Sequence, residues 1–178
     1  MPPPADTSTV IDIDRPRGDR AVDVAWLRDR LDRAISHLNR PVARIGISLV
    51  DDARMIELHA RHLNLNTTTD VLTFHLSKPG QPIDVDLALC VDEAARQAAG
   101  HGHTIERELL LYALHGLLHC CGFDDHEEVG AAAIHAEEDR ILSAIGVGAT
   151  FAASQPPAAR DASRQPAGGK GTPGSSWC

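Results

Sequence analysis

Apolar side chains along this chain recur with two different periods, and the alternation between them predicts a mixed fold. Val10–Ile13 reads as a short strand. Val24, Leu27, Leu31, Ile35 and Leu38 fall three and four apart, one stripe of a helix over Val22–Leu38. Ile45, Ile47 and Leu49 alternate with Arg44, Gly46 and Ser48, as in a half-buried strand. Asp51 or Asp52 is placed to cap a helix running to about Leu63. Two more strands follow, Val71–Leu76 and Val85–Val91, the second with Val85, Leu87, Leu89 and Val91 on one face. Asp92 opens a short helix through Ala99, and Gly100-His101-Gly102-His103 breaks it. Thr104 caps the helix from Ile105 to Cys121. Its run of Leu109, Leu110, Leu111, Leu114, Leu117 and Leu118 is apolar nearly all round, which predicts a buried central helix. Asp124 with Glu127, or Asp125 with Glu128, resembles a capping box for a last helix at about 126–145.

These elements make one α+β domain, a few strands packed against several helices, over residues 8–148. Pro-rich residues 1–7 read as a flexible N-terminus. Residues 149–178 are rich in Ala, Pro, Gly and Ser and have few large apolar side chains, so they read as a disordered tail.

Composition narrows the function. The net charge of −8 argues against broad electrostatic capture of nucleic acid. The tail holds Arg160, Arg164 and Lys170 against Asp161, so the rest of the chain is more acidic still. Cys90, Cys120, Cys121 and Cys178 show no CxxC and no disulfide spacing, so no disulfide-linked partner is expected. No apolar run approaches the ~20 residues of a membrane span. The first residues lack the charged and apolar regions of a signal peptide, so the expected location is cytoplasmic, away from membranes.

The chemistry is concentrated in His115-Gly-Leu-Leu-His119-Cys-Cys-Gly122-Phe-Asp124-Asp125-His126. His115 and His119 are four apart, which stacks two imidazoles on one helix face. Gly122 offers a natural stop. Two such histidines plus a donor from the following loop leave one position open on a tetrahedral zinc, and a zinc with an open position activates water. His126 is the expected third ligand, because imidazole is a good neutral donor; Asp125, one residue nearer, is the alternative. Asp124 is a candidate catalytic residue that would orient a ligand through its free N–H, or it caps the helix. Cys120 points about 100° away from His119 on a helix. Position 116 is a glycine where an HExxH peptidase carries its glutamate base, and that glycine leaves space beside the metal. Phosphodiester cleavage suits such a site better than peptide hydrolysis. His37, His59, His62, His75, His101, His103 and His135 read as surface or structural.

The motif resembles the signature of the YbeY family, H-G-x-L-H-L-x-G-Y-D-H. Upstream, Thr68-Thr69-Asp70-Val71-Leu72-Thr73-Phe74 is similar to that family's P-T-D-V-L-S-F strand, and Ile83-Asp84-Val85-Asp86-Leu87-Ala88-Leu89 to its L-x-G-D-I-V-I strand. The resemblance covers roughly residues 40–145. It implies a mixed sheet of about four strands with the metal helix against it. It also implies a metal-dependent, single-strand-specific endoribonuclease with one Zn2+ per chain. Its partners would be ribosomal RNA and the small ribosomal subunit, whose RNA it would mature at the 3′ end, with a part in ribosome quality control. Carried over, the zinc ligands are His115, His119 and His126. Three departures stand out. The loop is one residue longer, and a gapless alignment puts Asp125 in the third-ligand column. Leu63 falls where the family has an arginine suited to phosphate, with Arg61 two residues away as a weak substitute. Val85 replaces a glycine. Two rival functions follow from the same residues: a ribosome-assembly factor with a structural metal, and a small metallopeptidase.

Overall fold

A computed structural model of the chain describes residues 9–14 and 20–151. The segment expected to be flexible at 1–7 and all of the tail beyond residue 151 lie outside the described residues. Nine elements run in the order β1 (Val10–Asp14), α1 (Val24–Ile35), β2 (Val42–Val50), α2 (Asp52–Leu63), β3 (Val71–His75), β4 (Ile83–Cys90), α3 (Val91–His101), α4 (Ile105–Cys120) and α5 (Glu128–Ala144). The four strands form one mixed sheet in the order β1-β2-β4-β3. β1, β2 and β4 are parallel, and β3 pairs antiparallel with β4, Thr73 opposite Leu87.

The period-2 pattern explains which face goes where. Ile83, Val85, Leu87 and Leu89 of β4 point with Ile45 and Ile47 of β2 into the main core. There they meet Leu27 and Leu31 of α1 and the leucines of α4. Each such fully buried side chain stabilises the fold by roughly 1.5–3 kcal/mol. The opposite parity, Ala88 and Cys90, joins Val50, Leu72 and Met55 in a smaller cluster under α2.

α4 is the central helix, as its apolar run implies. It packs on α1, α3, α5 and strands β3 and β4. Its N-cap is Thr104, whose hydroxyl accepts the Arg107 N–H. Gly116 lets it approach the sheet. A Cβ there would stand 2.7 Å from Thr73 Oγ1 and 2.9 Å from Leu87 Cδ2. The glycine therefore opens no space beside a metal; it faces β3 and β4, and the sheet fills the space the sequence assigned to a substrate.

Several boundaries differ from expectation, α1 for one running only over Val24–Ile35. Val91 begins α3 rather than ending β4, and α3 continues through Gly100 to His101 before Gly102 turns it off at φ +68°. Burial of Ala94 and Ala98 against the core outweighs the helix cost of one exposed glycine. Residues 149–151, assigned by composition to the tail, are held. Asp139 Oδ1 accepts the N–H of Thr150 and of Phe151, and Arg107 donates to Ala149 O.

One ion-pair network ties together the starts of α2 and α3, just past the C-terminal ends of the parallel strands β2 and β4. Asp52 accepts two bonds from Arg96 and one from Cys90 Sγ, and Asp92 accepts the Asp52 N–H. The Arg96 bonds hold the Asp52 carboxyl down at about 2.

Candidate metal centre

His115 and His119 sit one turn apart on α4, and each ring is fixed by its Nδ1. His115 Nδ1–H donates to Glu138 Oε1 at 2.8 Å. His119 Nδ1–H donates to the Phe123 carbonyl at 3.0 Å, in the turn that Gly122 makes at φ +98°. With both Nδ1 atoms committed as donors, both Nε2 atoms are bare, and they face each other across 3.0 Å. Asp125 closes the group: its carboxylate oxygens lie 3.4 Å from His115 Nε2 and 3.7 Å from His119 Nε2.

Facing lone pairs repel, so this arrangement needs a positive charge at its centre. The spacing is near the ~3.3 Å between two nitrogens bound at 2.0–2.1 Å to a tetrahedral zinc. His115, His119 and Asp125 thus form a group that could hold a metal ion. A proton is the competitor. Burial works against a charged His115, but the Glu138 hydrogen bond and the charges of Glu138, Asp70 and Asp125 outweigh it, and the pKa is raised from its ordinary value.

Asp125, the alternative third ligand, is the loop residue that reaches the histidines. His126 is not in that group: its side chain is 87% exposed and lies 3.6 Å from Asp124. The physical reason is the loop's packing on α5. A Cβ on Gly130 would stand 2.1 Å from Asp124 O, so the chain at 124–125 presses directly against the helix backbone and turns Asp125 inward. Asp124 is grouped with His126 rather than with His115 and His119, and it does not cap α5. Its Oδ1 accepts the His126 N–H at 3.1 Å. The expected capping boxes are absent, for the α5 N-cap is Glu127 with no side-chain bond.

Beside the histidines is a cavity of about 550 Å³, lined by Thr68, Thr69, Asp70, Tyr112, His115, Glu138 and others. His115 belongs to both cavity and cluster. The T-T-D-V strand motif thereby enters the site: Asp70 lines the cavity and fixes its own loop by accepting the Thr69 hydroxyl and the Val71 N–H. Arg61 does not line this cavity; it is spent on Glu57, one turn back on α2, at 2.9 Å. Leu63, at the family's arginine position, is exposed.

Glu138 is the residue that sequence reasoning missed. It is 1% exposed, and its Oε2 has no hydrogen-bond partner. Its signal was available: a glutamate within the stripe Ile134, Glu138, Ile141 at spacings of four and three, where an apolar residue belongs. Cys120 is not among the grouped donors. Burial pushes its thiol up to about 11, which keeps it protonated. Cys90, Cys120 and Cys121 are free thiols, and no helix among the described residues is long and apolar enough to cross a membrane.

Comparison with known proteins shows the family and the fold. A family model described as "Endoribonuclease YbeY" matches residues 18–146. A protein of that description from Moorella thermoacetica is 35% identical over 116 residues, covering 59% of this chain and 74% of the relative. One from Desulfitobacterium hafniense is 36% identical over 115 residues, covering 59% and 73%. The solution structure of a Thermotoga maritima protein overlays with a TM-score of 0.55 at 21% identity, over 76% of this chain and 89% of that one, which establishes the shared fold.

Proposed function

The chain belongs to the YbeY endoribonuclease family, and from that premise we propose that it is a zinc-dependent, single-strand-specific endoribonuclease whose ligands are His115, His119 and Asp125. The observation that carries the metal reading is the pair of bare Nε2 atoms at 3.0 Å with both Nδ1 atoms committed elsewhere. Two imidazoles and a carboxylate suit zinc. When bound, such an ion supplies Lewis acidity toward water and toward a phosphoryl oxygen.

The protein's own residues do the positioning. Glu138 fixes the His115 tautomer and ring plane and raises the ring's basicity toward a cation. The Phe123 carbonyl does the same for His119. Asp125 adds the negative charge that favours a divalent ion over a monovalent one. Asp70 and Glu138 flank the cavity, so an RNA phosphate approaches only where a cation offsets them.

The proposed target, the small-subunit ribosomal RNA at its 3′ end with a part in ribosome quality control in the cytoplasm, rests on the family resemblance. Three protein donors rather than four speak for an open, working position and against a purely structural metal. The peptidase reading loses support because position 116 faces the sheet and has no room for a glutamate. The test is cleavage of end-labelled single-stranded and duplex RNA by zinc-loaded protein. Cutting of the single strand alone, abolished in His115→Ala, is expected; equal cutting by the variant would overturn the proposal.

A further inference from the structure

We propose that His101, His103 and Glu108 form a second divalent-cation site, separate from the His115 cluster and opening on the same cavity. The turn at Gly102 brings two histidines, two residues apart, onto one carboxylate: Glu108 Oε1 lies 2.8 Å from His103 Nδ1 and 3.4 Å from His101 Nδ1. Ligand atoms of all three lie within 4.8 Å of one another. Donors held at 2.0–2.1 Å around a tetrahedral ion are ~3.3 Å apart, so this spacing accepts one with little movement once each Nδ1 proton facing Glu108 has passed to Nε2 or to solvent.

Three independent features point to a cation there. Glu108 is 2% exposed at the start of the most apolar helix, and its hydrogen-bond partners are the two imidazoles alone. A buried carboxylate so placed gains from a compensating charge. Tyr112, one turn further along the same helix face, is 6% exposed, and its hydroxyl lines the cavity with no hydrogen-bond partner. It is a buried, unpartnered polar group on the same wall of the cavity as Glu108. The cavity wall holds Asp70, Glu93, Glu108 and Glu138, and no lysine or arginine among the lining residues.

Two imidazoles with one carboxylate select a borderline transition ion such as zinc or cobalt over magnesium or calcium. Seven residues of helix separate Glu108 from His115, about 10 Å. That is well beyond the ~3.5–4 Å of two ions sharing one phosphoryl transfer. The second ion therefore acts by charge, offsetting the carboxylates so that an anionic strand can lie along the cavity; this last step rests on the endoribonuclease reading, whereas the site itself does not.

The experiment counts ions. Full-length protein, stripped with a chelator, is titrated with cobalt(II) by calorimetry and its metal content measured after gel filtration. Two ions per chain are expected in the wild type, one in His103→Ala and one in His115→Ala. His101→Ala, whose side chain is about half exposed and so bears little on folding, should weaken one ion at least about tenfold. One ion in the wild type that is lost with His115, or two that survive unweakened in both His101→Ala and His103→Ala, overturns the second site alone. One ion lost with His103 but not with His115 supports it and removes the first centre. No ion at all overturns both.

Discussion

Glu138 Oε1 holds His115 Nδ1 at 2.8 Å from a position 1% exposed, so a buried carboxylate on α5 determines which nitrogen of an α4 imidazole stays free. Glu138→Gln keeps an acceptor of the same shape and removes the charge. Zinc affinity measured by competition with a chromophoric chelator should fall about 10–100-fold. Thermal stability should change far less, because the amide still bonds to the ring. Unchanged affinity would mean that His115 is oriented by its own helix.

Proton and metal compete for His115 Nε2. The ring's pKa is raised above the ordinary 6.5. Cation affinity should therefore climb with pH and level off only above that raised value. In metal-free protein the same shift has the opposite sign for stability. A raised folded-state pKa gives stabilisation that is fully present below the unfolded value and lost as pH rises through the folded one. Zinc titrations and denaturant melts across pH 5.5–8.5 read both slopes. In Glu138→Gln the inflection should move to lower pH.

Gly130 and Gly116 should separate site from scaffold. Alanine at 130 puts a Cβ against Asp124 O and displaces the loop that carries Asp125. Alanine at 116 drives α4 off the sheet at Thr73 and Leu87. Each costs about 1–3 kcal/mol by overpacking. Gly130→Ala should lose cation affinity out of proportion to stability, as judged by calorimetry beside urea melts. Gly116→Ala should lose mainly stability.

Asp52 contributes to the acid limb. Its carboxyl, held at about 2 chiefly by the Arg96 bonds, contributes stability present above the unfolded value of 3.8 and lost as pH falls toward 2. The pair is partly exposed, so solvent screens it and the effect is modest. Arg96→Met should raise the midpoint of acid unfolding followed by circular dichroism; an unmoved midpoint would show the pair to be neutral.

Much of this was legible in the sequence because periodicity and capping are local. The existence of the four strands, the Thr104 cap and the largely apolar α4 follow from spacing alone, while the α2 cap was narrowed to Asp51 or Asp52 and the structure takes Asp51. The histidine pair was legible for the same reason. What spacing could not give was long-range. Glu138 meets His115 from 23 residues away, and Asp125 rather than His126 lies beside the imidazoles on a loop whose backbone at Asp124 packs against Gly130. Gly116 was misread because a missing side chain looks the same in sequence whether it makes room for a ligand or for a neighbouring strand. His101 and His103, read as surface or structural, are brought to a buried glutamate by a turn whose geometry only the fold reveals.

The central claim is that His115, His119 and Asp125 grip one divalent ion with a position to spare. Anomalous diffraction from crystals grown with zinc reads this directly. The account predicts a peak bonded to His115 Nε2, His119 Nε2 and an Asp125 oxygen, with solvent as the remaining ligand. A fourth protein ligand, His126 in place of Asp125, or no peak between the two imidazoles would contradict it.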